Sequence, residues 1–146
     1  GIEPTMKMAI GANRSNMKDI YANGWHHLTQ NLKVVGSLSP KMFREGVHTM
    51  LEKTQLDVSK VKCFFANIPT KHLMDLGVKE LREDFKNPNM PFYTRLSTRG
   101  YPGAPAILIA LDEYLKETEL SSGDTLVSFV TESSKWMHAG FVLEYC

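Results

Sequence analysis

In "TMKMAIG" apolar Met6, Met8 and Ile10 fall on every second position, which predicts one face of a short strand ended by Gly11. Residues 12–37 carry no comparable period. Trp25 and "LTQNLKVVG" indicate packing, whereas "GANRSN" and "ANG" read as turns, so no element is assigned there. From "SLSPKMFREGVHTMLEKTQL" onward the period becomes helical: Met42, Phe43, Val47, Met50 and Leu51 share a face, Ser39 supplies a cap, and Pro40 suits the first helical position. "DVSKVKCFFAN" then reads as a turn and a strand. Its core, Val61 and Cys63 to Ala66, is too uniformly apolar for an edge and predicts burial on both faces.

Thr70 caps the next amphipathic helix, "KHLMDLGVKELREDF", in which Gly77 marks a break, and the helix runs down to "KNPNMP". "FYTRLSTRG" alternates and predicts another strand, "YPGAP" a tight turn, and "AILIALDEYLKETEL" a helix. After the turn "SSGD", the segments "TLVSFVTE" and "KWMHAGFVLEY" are rich in β-branched and aromatic residues and are separated by "SSK", an antiparallel hairpin. The order strand, helix, strand, helix, strand, helix, strand, strand is α/β grammar: a buried mixed sheet covered by helices. Repeats, low-complexity tracts and interdomain linkers are absent from the sequence.

At 146 residues the chain is expected to form a single domain, residues 1–146, large enough to bury roughly 70% of its unfolded surface. Seventeen basic residues against 16 acidic ones, a net charge of +1, argue against nucleic-acid binding driven by phosphate neutralisation. Cys63 and Cys146 lie far apart without metal-ligand spacing, which predicts reduced thiols and a cytoplasmic location. No stretch approaches the ~20 consecutive apolar residues of a membrane span, and no apolar signal region opens the chain. The chain begins with Gly1, which fits a processed or excised piece of something longer.

The C-terminal third, "RGYPGAPAILIALDEYLKETELSSGDTLVSFVTESSKWMHAGFVLEY", resembles the end of the ketoacyl-acyl carrier protein synthase III family of the thiolase superfamily. There a glycine-asparagine turn opens a long helix, a "GD" turn starts a strand, and a glycine-rich loop leads to the final strand. "VKCFFANIP" falls where that family carries a histidine, glutamine, alanine, asparagine motif, and "SPKMFREGVHTMLEKTQLDVSKV" matches the helix before it, so the resemblance covers residues 35–146. It implies a thiolase-like half-domain whose partner is an N-terminal half of the same fold, carrying the nucleophilic cysteine. It also implies a dimer in the full-length form, acyl-coenzyme A or acyl carrier protein thioester as substrate, no cofactor, and a place in fatty acid or polyketide biosynthesis.

Carried across, the family's histidine lands on Phe64, its glutamine on Phe65, its alanine on Ala66 and its asparagine on Asn67. The asparagine of the later turn lands on Tyr101, after the retained Gly100. The glycine-rich loop becomes "TESSK", with Ser133 and Ser134 near where a backbone N–H would stabilise an oxyanion. The resemblance thus marks Phe64, Asn67, Tyr101, Ser133 and Ser134 as a substrate pocket from which the catalytic histidine and asparagine are gone. A condensing enzyme needs donors on the thioester oxygen while a carbanion forms, and each lost donor costs about 2.7–4 kcal/mol of transition-state stabilisation. Ordinary decarboxylative condensation is not expected.

The remaining chemistry-bearing side chains have plainer roles. Cys63 reads as a buried core thiol. His72 reads as a solvated or packing residue on a first helical turn, and His138 as a packed ring. His48 lies inside a helix, His26 and His27 in the unassigned region. Glu132 is either a loop hydrogen-bonder or an acid or base. Two functions follow from the resemblance: a diverged acyltransferase using a cysteine of the other half, or a catalytically silent thiolase-like domain that supports an active partner. Acyl transfer to oxygen or nitrogen requires a base but no carbanion. A generic α/β binding domain leaves the ordered motifs unexplained.

Overall fold

The computed structural model describes residues 6–7, 17–22, 24, 29–132 and 136–146. Met8, Ile10, Gly11, Trp25, His26, His27, Ser133 and Ser134 lie outside the described residues. In chain order the elements are β1 (Met6–Lys7), α1 (Met17–Ala22), β2 (Thr29–Gln30), α2 (Leu32–Thr54), a 3-10 turn (Val58–Lys60), β3 (Val61–Asn67), α3 (Lys71–Asp84), β4 (Phe92–Tyr93), α4 (Leu96–Arg99), α5 (Ala106–Glu117), β5 (Thr125–Glu132) and β6 (Met137–Glu144).

Strands β1 and β2 form a separate antiparallel pair, so the expected first strand does not join the main sheet. The main sheet is mixed, in the order β4-β3-β5-β6, with β3 parallel to both β4 and β5 and β6 antiparallel to β5. This is the expected α/β arrangement with its C-terminal antiparallel hairpin.

Both faces of β3 are covered, as its uniform apolar run demands. A bulge between Val61 and Cys63 turns Val61 to the same side as Phe64. On that side Phe64 and Ala66 join Phe43, Val47 and Leu51 of α2, Leu81 of α3, and Val127 and Phe129 of β5. On the other side Cys63 and Phe65 meet Leu126 and the Ile107, Ala110 and Tyr114 face of α5. Each of the larger side chains contributes about 1.5–3 kcal/mol by leaving water, so β3 is the seam joining the two layers.

Three local expectations are corrected. Helix α2 starts seven residues before Ser39 because Asn31 caps it, accepting from the Val34 N–H at 3.2 Å. Pro40 is therefore interior and buried: the upstream cap and the burial of Val35 outweigh a proline start signal. Helix α3 runs through Gly77 without a break. The glycine lets α2 come close, since a Cβ there would sit 3.0 Å from Cδ1 of Phe43. Finally, "FYTRLSTRG" pairs only through Phe92 and Tyr93 and then turns into α4. The Thr94 hydroxyl accepts the Leu96 N–H at 3.2 Å, a local bond that competes with the ladder. Thr70 does cap α3, accepting from Leu73 N–H at 3.3 Å.

Candidate functional site

The parallel strands β3 and β5 end on the same side of the molecule, and two adjoining hollows open there. The larger is a groove of about 240 Å³ between α2, α3 and the strand ends. Val35, Pro40, Phe43, Ile68 and Leu73 make its apolar wall, and Ser39, Tyr101, Thr131 and Glu132 are the polar residues of its lining. Crevices at the carboxyl ends of parallel strands are where α/β sheets commonly bind ligands, because the connecting loops diverge there. The smaller hollow lies between β3 and α5 and is lined in part by Asn67, Arg95, Gly100 and Tyr101. Tyr101 and Ile68 border both.

Tyr101 is delivered by a loop whose backbone requires glycine. Gly100 sits at φ 68° and ψ −156°, a conformation open to few other residues. Asn67, only 8% exposed, donates from Nδ2 to the Gly103 carbonyl at 3.1 Å, so the end of β3 is tied to the Tyr101 loop. The Gly103 carbonyl also accepts the Ala106 N–H at 3.1 Å, leading directly into α5. The Tyr101 side chain remains 47% exposed.

A charged network fastens the same loop from behind. Arg95 pairs with Glu113 at 2.5 Å and with Glu117, and Arg99 donates to Glu113 at 2.5 and 2.8 Å. The Tyr93 hydroxyl donates to Glu117 at 2.8 Å, and this bond, with Arg95, holds the Glu117 carboxyl below its usual range. Desolvation and that carboxylate push the Tyr93 phenol up to about 12. Pairs spaced by four, Arg95 with Arg99 and Glu113 with Glu117, were a legible signal for two facing helical segments. The strand reading of "FYTRLSTRG" obscured it.

The structure brings Asn67 and Tyr101 together but leaves Phe64 apart from them. Phe64 is 2% exposed, stacked on Phe92 at 5.3 Å between centroids, and lines neither hollow. The reason is the pleat: Phe64 faces α2 and α3 in mid-strand, whereas Asn67 lies at the strand's open end. Ser133 and Ser134 lie outside the described residues, but the strand that leads into them places Thr131 and Glu132 at the groove.

Among the described residues, the histidines stay out of both hollows. His72 is exposed, and His48 pairs with Asp84 and stacks on Phe85 at 4.7 Å. The His138 ring lies on Phe129 at 5.7 Å, and burial lowers its pKa despite the pull of Glu45. Cys63 is 2% exposed, and burial pushes its thiol up to about 11, which keeps it un-ionised and inert. Among the described residues no group of three His, Cys, Asp or Glu side chains is placed to hold a metal ion, and no helix is long and apolar enough to cross a membrane.

The backbone has close counterparts among solved structures. AbyA1, a tetronic acid condensing enzyme, superposes over 99% of this chain with a TM-score of 0.77 at 20% identity. The beta-ketoacyl-acyl carrier protein synthase III of Thermus thermophilus matches 83% of it with a TM-score of 0.70 at 17% identity. The 3-oxoacyl-acyl carrier protein synthase III of Aquifex aeolicus VF5 matches 82% with a TM-score of 0.68 at 18% identity. The fold is thiolase-like. This agrees with the architecture that the sequence resemblance implied. The chain spans 43, 36 and 37% of the lengths of these three proteins, so it corresponds to part of each. No family model matches the sequence, and no curated protein sequence matches it. The likeness lies in the backbone, whose strand ends frame the groove.

Proposed function

We propose that this chain is the C-terminal domain of a diverged 3-oxoacyl-acyl carrier protein synthase III-like acyltransferase. It moves an acyl group from a coenzyme A or carrier-protein thioester through a cysteine supplied by the N-terminal half of the same fold, in the cytoplasm. The observation that carries the reading is the groove beside Tyr101. Its apolar wall and hydroxyl-bearing edge suit an extended thioester arm, a chain that alternates methylene and amide groups.

Two further observations support it. Neither cysteine of this chain can act as the nucleophile from the hollows: Cys63 is buried between the sheet and α5, and Cys146 ends the chain beyond β6. And α5 keeps an apolar outer stripe, with Leu108 62% and Leu115 46% exposed, which a second half-domain would cover. The donor set explains the divergence. With Phe64 in the core and Tyr101 in place of asparagine, the groove offers one phenol where condensation requires two oxyanion donors. Acyl transfer without a carbanion survives that loss.

Incubation of the full-length protein with acetyl-coenzyme A, followed by intact and peptide mass spectrometry, tests the proposal. One acetyl group on a cysteine of the N-terminal half supports it. Absence of any acyl adduct overturns it in favour of the silent supporting domain.

A further inference from the structure

Cys63, Phe65 and Asn67 follow one another on the face of β3 that packs against α5, and the third of them is an amide where the first two are apolar. A buried amide without a partner is destabilising. Here Nδ2 of Asn67 donates to the Gly103 carbonyl, 36 residues further along the chain. Among the described residues this is the only hydrogen bond that joins residues 101–104 to any part of the chain other than the helix they lead into. The loop needs such a tether. Gly100 and Gly103 bracket Tyr101 and Pro102 at φ 68° and 77°, and glycines leave an untied backbone many other conformations.

Asn67 itself has no room to meet a ligand. The hollow that it lines holds about 20 Å³, enough for one water, and Asn67 is not among the residues that line the groove. Tyr101 borders both spaces. What the amide contributes at the groove therefore passes through the loop that carries Tyr101.

We infer that Asn67 is a positioning residue: by holding the Gly103 carbonyl it keeps the Tyr101 side chain in place at the groove before a thioester arrives. The inference rests on the acyltransferase reading above. Its physical content is preorganisation. A wall residue on a loose loop must be ordered each time the ligand binds, which weakens binding about 2- to 10-fold. Once bound, the thioester orders the loop itself, so the chemical step is spared. The amide thus acts on affinity and leaves the maximal rate alone.

The test compares full-length wild-type protein with Asn67→Ala, Asn67→Asp, Tyr101→Ala and the double variant Asn67→Ala, Tyr101→Ala. Cysteine acetylation is followed by intact mass against acetyl-coenzyme A concentration, and the melting temperature of each protein is recorded. Hydrogen exchange is followed at the Ala106 amide, which donates to the same Gly103 carbonyl at 3.1 Å. In Asn67→Ala the half-saturating concentration should rise about 2- to 10-fold while the maximal rate is unchanged. Asn67→Asp keeps the shape without the donor and should match it; it is read in its place if Asn67→Ala does not fold. Adding Asn67→Ala to Tyr101→Ala should raise the half-saturating concentration no further, and Ala106 exchange should quicken in both Asn67 variants. A lower melting temperature with an unchanged half-saturating concentration means a structural role alone and overturns the inference. An equal rise in the Tyr101→Ala background also overturns it, because the amide then acts through something other than Tyr101. Unchanged Ala106 exchange in Asn67→Ala overturns the tether itself, with or without acylation. If the wild type takes up no acetyl group, it is the acyltransferase reading that fails.

Discussion

Placing a histidine at Phe64 introduces the residue that the resemblance implies for synthase chemistry, and the structure predicts that it fails by destabilising the core before it reaches a substrate. The Phe64 ring is 2% exposed and stacks on Phe92 at 5.3 Å, in the cluster that joins β3 to α2 and α3. Phe64→His removes part of that apolar contact and buries two ring nitrogens among hydrocarbon side chains. Large-to-small core changes at phenylalanine cost about 3–5 kcal/mol when fully truncated, and an unsatisfied buried polar group costs about 1–3 kcal/mol. A histidine keeps much of the volume, so a net loss of about 2–4 kcal/mol is expected. With a urea m-value of about 1–3 kcal/mol/M, the midpoint should fall by about 1–2 M. The loss should grow below pH 6.5. A buried imidazole has a depressed pKa, the unfolded chain then binds the extra proton, and stability rises with pH across that interval. Urea titration at pH 5.5 and 7.5 checks both points. A midpoint unchanged at both pH values, together with condensation activity in the full-length Phe64→His, Tyr101→Asn protein, would refute the placement of Phe64 in the core.

Other consequences are independent of that site. Gly100→Ala forces a side chain onto φ 68°, ψ −156°; with open space around the position the cost is backbone strain alone, about 1–3 kcal/mol, visible as a lower melting temperature. Thr70→Ala removes the cap on α3 and should cost about 1 kcal/mol by denaturant titration, with Thr70→Ser close to wild type. Iodoacetamide at pH 8 should label exposed Cys146 and spare Cys63, as peptide mass spectrometry will show. Because the Cys63 thiol is raised from 9.0 to about 11, its contribution to stability is complete below pH 9 and lost as pH climbs toward 11; Cys63→Ala should flatten that alkaline limb.

Much of the architecture was legible because β3, α5 and the β5–β6 hairpin announce themselves by period and composition. "KCFFA" has no polar alternation to lose, and it proved to be covered on both sides. Positions governed by competition between local signals were not legible. Ser39 and Pro40 look like a helix start, yet Asn31 and buried Val35 win, and only the longer α2 supplies the upper wall of the groove. "FYTRLSTRG" alternates like a strand, but its two arginines are drawn to Glu113 and Glu117 on a helix far along the chain. The resemblance marked Asn67 and Tyr101, which line one hollow. Phe64 was assigned to the pocket because sequence position does not reveal which side of the pleat a residue takes on a strand with a bulge. Nothing in the sequence linked the Asn67 amide to the Gly103 carbonyl, a contact across 36 residues.

Filling the groove tests most directly whether it holds the thioester. Leu73 lines the groove near its edge and is only partly buried, so Leu73→Trp narrows a space of about 240 Å³ without opening the core. In the full-length protein the rate of cysteine acetylation by acetyl-coenzyme A should fall at least about tenfold, while the melting temperature stays within a few degrees of wild type. Acetylation at the wild-type rate in a folded Leu73→Trp protein would show that the thioester reaches the cysteine by another path.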